Sequence, residues 1–228
     1  MVTPRDAATV MLVRDAPDLQ VFMAVRNAES TWIAGASVFP GGAIDPDDRD
    51  ASWEARCYGW DDAGASEALG VSSGGLGFWV GAIRETYEEA GVLLARHADG
   101  TAVDASDPEF VGARDALNSG TLDFVTFVAT HDLMLATDEL HPFAHWITPA
   151  GSPRRYDTRF FISAAPPGAY KHDNAELVAS TWTRPRDALD AAERGELDLI
   201  LPTRHSLEFL AQFARSTDVI AATRAGVS

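Results

Sequence analysis

Two runs near the start of the chain, "ATVMLVRD" and "LQVFMAVRN", are rich in β-branched and long apolar residues. The short "APD" between them predicts a hairpin. "GASVFPGGAID" follows as a short strand that is expected to break at the Gly41–Gly42 pair. Residues 49 to 77 hold six glycines and no strong period, so they predict a loop-like insertion with room for one short helix. The spacing then changes. From about Phe78 to Arg96 the apolar residues Trp79, Ile83, Tyr87, Ala90 and Leu94 fall on one stripe at about 100° per residue, which predicts a helix.

Two further helices are predicted over 107–118 and 121–131, the first opening on Asp107-Pro108 as N-cap and first turn. "HWITP", "TRFFISAAP" and "AELVASTW" predict three more strands. "RPRDALDAAERG" predicts a helix with Pro185 near its start and Gly195 at its end. "PTRHSLEFLAQFAR" predicts the last helix, with "AATRAGVS" frayed beyond it. Strands and helices alternate without an internal repeat, so the expected class is α/β or α+β with a mixed sheet. A length of 228 residues suits a single domain over 1–228, with an insertion at about 49–77 and a tail.

The formal charge is −16, from 34 acidic against 18 basic residues. That balance argues against nucleic acid or an anionic membrane as a partner. An anionic substrate would need local attraction, from a metal ion or from clustered arginines. Lys171 is the sole lysine, and Arg suits bidentate phosphate contacts. Cys57 is the sole cysteine, which excludes an intrachain disulfide and a thiolate metal cage. No apolar run approaches the roughly 18 residues of a membrane span, and no signal-peptide pattern opens the chain. A cytoplasmic location is the expectation.

The predicted helix has a second face. Glu85, Glu88 and Glu89 share an arc opposite the apolar stripe, and Arg84 lies one turn before Glu88. A solvated acidic face would account for these residues alone. Three like charges repel, however, and a hard divalent cation would convert that repulsion into attraction. The upstream "VFPGGAID" can bring two glycine amides close to an anion or a helix end without a Cβ in the way.

Together these segments resemble the Nudix hydrolase signature, G-x5-E-x7-R-E-U-x-E-E-x-G-U, with U a bulky aliphatic residue. The resemblance starts at Gly42, has Asp48 where the pattern has Glu, and resumes as Arg84-Glu85-Thr86-Tyr87-Glu88-Glu89-Ala90-Gly91-Val92. Thr86 stands where the first aliphatic residue belongs. Between Asp48 and Arg84 lie 35 residues, against 7 in the pattern. A subset of the superfamily carries an insertion there, and its eukaryotic members include peroxisomal coenzyme A diphosphatases. The later segments of this chain are similar to that subset as well.

The resemblance implies a three-layer α/β/α Nudix fold with a mixed central sheet. It implies a Mg²⁺- or Mn²⁺-dependent hydrolase that cleaves the diphosphate bond of a nucleoside diphosphate linked to another moiety. Coenzyme A or an acyl-CoA is the leading substrate, with ADP-ribose or an NADH-type dinucleotide as the alternative. Glu85, Glu88 and Glu89 would be metal ligands, and Arg84 would orient a glutamate of the helix. The general base is Glu85 or Glu176, unless Glu176 is a plain strand-edge acid. Arg26, Gly41, Gly42, Arg155 and Arg159 are the candidate substrate contacts, although Arg155 or Arg159 could instead pair with Asp157. Trp32 and Phe39 are candidates for a base or pantetheine pocket. Many family members are homodimers, and the sequence leaves assembly open.

Two other chemistries find little support. His141 and His145 have i,i+4 spacing, but "HPFAHWITP" reads as a turn into a strand and lacks the Glu of a zinc helix motif. "GASVF" and "GASEA" miss the last glycine of a serine-hydrolase elbow. The remaining rival is a non-catalytic Nudix-fold ligand-binding regulator, in which loss of the acidic residues would be expected.

Overall fold

Strand β1 (Arg5–Asp15) sends apolar side chains both ways: Ala8, Val10 and Leu12 into one buried cluster, Met11 and Val13 into another. Side chains alternate along a strand, so one that is apolar at successive positions must be covered on both faces. The computed structural model describes residues 2–27, 35–166, 168, 172 and 177–227.

β2 (Leu19–Arg26) turns back antiparallel to β1, with Val13 opposite Val21. The two strands then separate. β3 (Ser37–Val38) pairs with the far half of β2, and β4 (Gly41–Ala43) pairs with the N-terminal half of β1, Ala8 opposite Gly42. The expected break at Gly41–Gly42 is therefore wrong: the diglycine is itself a strand. Gly41 has φ of 152°, and a Cβ there would lie 2.2 Å from the Ala8 carbonyl oxygen. Only glycine allows this strand to sit so close to its neighbour.

Segment 49–77 is not loop-like. A 3-10 turn over Pro46–Arg49 leads into a second over Ala51–Arg56, then helix α1 (Asp62–Leu69). Trp53, Ala65 and Leu69 enter the main buried cluster. The glycines there serve as joints: Gly70 closes α1 in the left-handed region, and the Asp62 carboxylate accepts the Gly74 and Leu76 N–H groups. Helix α2 (Leu76–Ala90) follows. It stops short of the predicted Arg96 because Gly91 takes φ of 69°, the left-handed cap that ends a helix.

Beyond it, β5 (Ala95–His97) pairs with β6 (Leu133–Leu135) as a small separate ribbon. Between these strands lie α3 (Pro108–Asn118), capped by Asp107 as predicted, and α4 (Phe124–Thr130), capped by Asp123. β7 (His141–Ile147) starts at His141, earlier than the turn read from "HPFAHWITP", and is antiparallel to β8 (Tyr156–Ala164). β8 runs parallel to β1 over its whole length, Arg5 opposite Tyr156. β9 (Leu177–Thr183) completes the other edge, against β2.

The last elements are α5 (Pro185–Glu193), α6 (Leu201–Leu210) and α7 (Ser216–Arg224). The tail expected to fray is thus mostly a docked helix. Val219 is fully buried with Met11, Ile162 and Leu207, and Asp15 accepts the Ser216 N–H at the helix start.

The described strands form one mixed seven-stranded sheet plus the ribbon. Helices α1 to α4 cover one face and α5 to α7 the other. This is the expected three-layer α/β/α sandwich. No described helix is long and apolar enough to cross a membrane.

Candidate active site

Helix α2 lies against β1 and β4 with its apolar stripe inward. The Trp79 indole donates to the Leu140 carbonyl at 3.0 Å, and the Tyr87 hydroxyl to the Phe110 carbonyl at 2.5 Å. From α3, Arg114 donates two hydrogen bonds, of 2.8 and 3.0 Å, to the Glu88 carbonyl, satisfying a backbone oxygen of the last turn. The rotation of α2 is thereby set from both ends, and with it the direction of the acidic face.

That face is not solvated. Arg84 is 7% exposed and Glu89 4%. The Arg84 guanidinium is a hub: Nε and Nη2 donate to the two oxygens of Asp48 at 3.0 and 2.9 Å, and Nη2 also donates to the Ala43 carbonyl at 3.0 Å. Its Nη1 donates to Glu85 Oε1 and Glu88 Oε2, each at 3.0 Å. Glu89 turns to β4, where its Oε2 accepts the Gly41 N–H at 2.8 Å. Gly42 lies against the third acid: a Cβ there would come 2.5 Å from Glu85 Oε1. So β4 and α2 close on each other across a glycine surface.

Burial by itself would lower the Arg84 pKa, yet the Asp48 hydrogen bond and the charges of Glu85, Asp48 and Glu88 hold it above its ordinary value. For Glu88, desolvation pushes the carboxyl upward, and the nearby Arg84 charge offsets only part of this. A negatively charged Glu88 is therefore under strain that a further cation would relieve.

The acidic face borders a cleft of about 970 Å³. Gly41, Gly42, Ala43, Asp45 and Glu85 form one side. The floor is the face of the sheet opposite α2, from Ala7 and Thr9 on β1 and from Tyr156, Thr158 and Phe160 on β8. Trp146, Ile147 and the start of α6 close the far side.

Several candidates fall in this cleft: Arg26, Gly41, Gly42 and Phe39 line it. Two do not. Residues 156, 158 and 160 face the cleft, so strand alternation sends Arg159 to the other face. There it donates to the Leu69 carbonyl at the end of α1 at 2.9 Å and lies 3.7 Å from Asp157. Arg155 donates to the Thr148 and Val2 carbonyls, both at 2.9 Å, and ties the β7–β8 turn to the N-terminal segment. As candidate substrate contacts both are corrected to structural residues. Glu176 and Trp32 lie outside the described residues. His141 accepts from Arg224 and His145 meets Asp157 at 2.5 Å, so each imidazole has its own partner and they form no pair.

Three residues of the site were not among the sequence candidates. Asp48 is 3% exposed, and its shorter side chain reaches Arg84 because the 3-10 turn over Pro46–Arg49 carries it inward. The five-residue spacing from Gly42 had marked its position, without its role. Arg5 and Arg154 both line the cleft; a sequence signal for Arg5 exists only in its parity with Ala7 and Thr9 on β1.

A hard divalent cation suits the donor chemistry here, which is all carboxylate oxygen, beside a glycine that leaves out the Cβ nearest Glu85. Among the described residues, no three acidic, imidazole or thiol groups already converge as a metal cage. Glu85 and Glu88 are instead held by Arg84, and Glu89 by Gly41.

A family model described as the NUDT19 Nudix domain matches residues 62–209. The human acyl-coenzyme A diphosphatase NUDT19 is 28% identical over 239 residues, covering 90% of this chain. The chain spans 64% of the length of that relative. The Gallus gallus protein of the same name is 27% identical over 265 residues, covering 94% of this chain and 70% of the relative. A crystal structure of a Nudix hydrolase from Alicyclobacillus acidocaldarius superimposes with a TM-score of 0.76 at 28% identity, over 97% of each chain.

Proposed function

The chain belongs to the Nudix family, in the branch of the NUDT19 Nudix domain, and from that membership we propose that it cleaves the diphosphate bond of coenzyme A or an acyl-CoA beside the acidic face of α2. It is a Nudix-type hydrolase for nucleoside-diphosphate-linked substrates. Family membership implies a divalent-metal-dependent mechanism in general. The finer reading is that Glu85, Glu88 and Glu89 hold Mg²⁺ or Mn²⁺. One observation carries it: a single buried arginine gathers Glu85 and Glu88 onto the flank of the cleft while Gly41 orients Glu89.

A bound Mg²⁺ or Mn²⁺ would supply charge neutralisation at the diphosphate and an activated water. Arg84 keeps two of the three carboxylates in place, and Asp48 keeps Arg84 in place. Glu85 faces the cleft and is positioned to accept a proton from water. Gly41 and Gly42 let backbone and carboxylate approach without side chains between them. Support for the coenzyme A substrate comes from the printed names of the human and chicken relatives and from a cleft large enough for a nucleotide with an extension.

The test is a set of diphosphate compounds incubated with the purified chain and Mg²⁺ or Mn²⁺, with products resolved by mass. Coenzyme A should give 3′,5′-ADP and phosphopantetheine, and chelation should abolish turnover. Consumption of ADP-ribose or NADH with coenzyme A left intact would replace the substrate. Tight binding of all compounds without turnover would point to a regulator.

A further inference from the structure

Acidic residues outnumber basic ones by 34 to 18 in this chain, and most of its arginines are engaged. Arg49 meets Asp6, Arg56 meets Asp132, Arg96 meets Asp138 and Glu139, and Arg84 meets four carboxylates. Arg5 and Arg154 differ. Both line the cleft and both are exposed. Among the described residues, neither side chain has a hydrogen bond or ion pair. In so acidic a protein an arginine without a carboxylate is a cation kept available, and here two share one wall.

Their position is set by the sheet. Arg5 on β1 lies opposite Tyr156 on β8, and Arg154 stands two residues before that tyrosine. Gly42, which marks the acidic face, lies opposite Ala8. Three residues of extended strand, about 10 Å, thus separate the Arg5 backbone from the level of the glutamates. The two arginines sit too far along the strand to share the scissile diphosphate with the acidic face. They lie within reach of a second anionic group on the same ligand, across a span that a ribose bridges. Arg26 also lines the cleft but has partners of its own.

We propose that Arg5 and Arg154 form a subsite for a phosphate monoester that the substrate carries apart from the diphosphate that is cleaved. The chain then selects nucleoside diphosphate derivatives that are phosphorylated on the ribose over those that are not. This rests on the cleft being the substrate site described above. Guanidinium groups suit the task, since they form charge-assisted, bidentate bonds to phosphate.

The experiment has a binding arm and a turnover arm. Calorimetric titration of the metal-free chain compares 3′,5′-ADP with 5′-AMP, which differ only in the 3′-phosphate. Kinetics with Mg²⁺ compare coenzyme A with its 3′-dephospho form. A charge-assisted contact is worth on the order of tenfold, so 3′,5′-ADP should bind at least about tenfold more tightly. The ratio of kcat/KM between the two coenzyme forms should favour the phosphorylated one, mainly through KM. In the double variant Arg5→Gln/Arg154→Gln both preferences should fall toward one, and the single variant Arg154→Gln in its exposed turn gives the same reading if the double variant does not melt cooperatively. Equal binding of the two nucleotides by the unaltered chain, or a preference that survives in the variants, overturns the subsite. If neither coenzyme form is cleaved while the 3′,5′-ADP preference is present and lost in the variants, the subsite stands and the proposed hydrolytic substrate falls.

Discussion

Arg84 and Asp48 stand 36 positions apart in the chain and meet as a two-pronged buried pair, Nε to Oδ1 at 3.0 Å and Nη2 to Oδ2 at 2.9 Å. The Asp45 N–H also donates to Asp48 Oδ2, at 2.8 Å. The pair joins the 3-10 turn after the diglycine strand to the acidic helix.

Removing one partner of a buried pair leaves the other charge stranded, at a cost of about 3–5 kcal/mol. Asp48→Asn should therefore lower unfolding stability by about that amount in urea denaturation, and should loosen Glu85 and Glu88 through Arg84. A loss below about 1 kcal/mol, the range of an exposed pair, would show that Arg84 is held by its other contacts.

Glu89→Gln keeps the size of the side chain and an oxygen for the Gly41 N–H, but removes the charge. Turnover should fall on the order of 100-fold or more, at least as much as losing an outer partner of a metal ligand, while the melting temperature changes little. Activity close to that of the unaltered chain would take Glu89 out of the metal set.

The two glycines of β4 should separate stability from activity. An added Cβ at Gly41 meets backbone, the Ala8 oxygen at 2.2 Å, whereas at Gly42 it meets only the end of the Glu85 side chain at 2.5 Å. Gly41→Ala should thus destabilise by about 1–3 kcal/mol. Gly42→Ala should melt nearly as the parent does and lose activity as Glu85 is displaced. Thermal scans paired with steady-state assays would decide it, and the reverse pattern would refute the assignment.

We propose that residues 49–77 are an insertion that folds as part of one domain over 1–228. Trp53 is almost fully buried in the cluster that contains α2, and its indole donates to the Asp47 carbonyl. Trp53→Ala should cost about 3–5 kcal/mol, and denaturation followed by fluorescence and by circular dichroism should give coincident transitions. Separate transitions would make the segment a unit of its own.

His141 is held below its ordinary pKa by desolvation and by Arg224, while Asp138 and Glu139 pull the other way. Its Nε2 accepts from Arg224 Nε at 3.2 Å, which needs a neutral imidazole. The unfolded chain takes up this proton near pH 6.5 and the folded chain only at lower pH. Stability contributed by this site is therefore intact above about pH 6.5 and declines as pH falls toward the depressed folded value. His141→Gln should flatten that part of the melting temperature's pH dependence; an unchanged slope would assign it to other groups.

What the sequence by itself determined is local. Period-2 runs marked the hairpin and the later strands, and Asp107-Pro108 marked the start of α3. The apolar stripe marked α2, because helix and strand periods are set by the backbone and show through the pattern of side chains. The Nudix signature was legible in spite of its interruption, since Gly42, Arg84, Glu85, Glu88 and Glu89 are all present. The helix end was missed because the stripe extends past Gly91 to Leu94, which is buried from outside the helix. The tail was missed because α7 owes its order to Val219 meeting the sheet rather than to its own composition.

The tertiary structure decided which charges serve the site. Arg155 and Arg159 occupy neighbouring positions in an arginine-rich stretch, and sequence offered no means of separating them from Arg154. Strand alternation and register place Arg159 across the sheet under α1 and bring Arg5, from the far end of the chain, onto the cleft wall beside Arg154. Asp48 likewise became the anchor of Arg84 only when its turn folded inward. The physical reason is the same in each case. Whether a charge is paired, buried or available depends on what lies opposite it in space, and for these residues the opposite partner comes from a distant part of the chain.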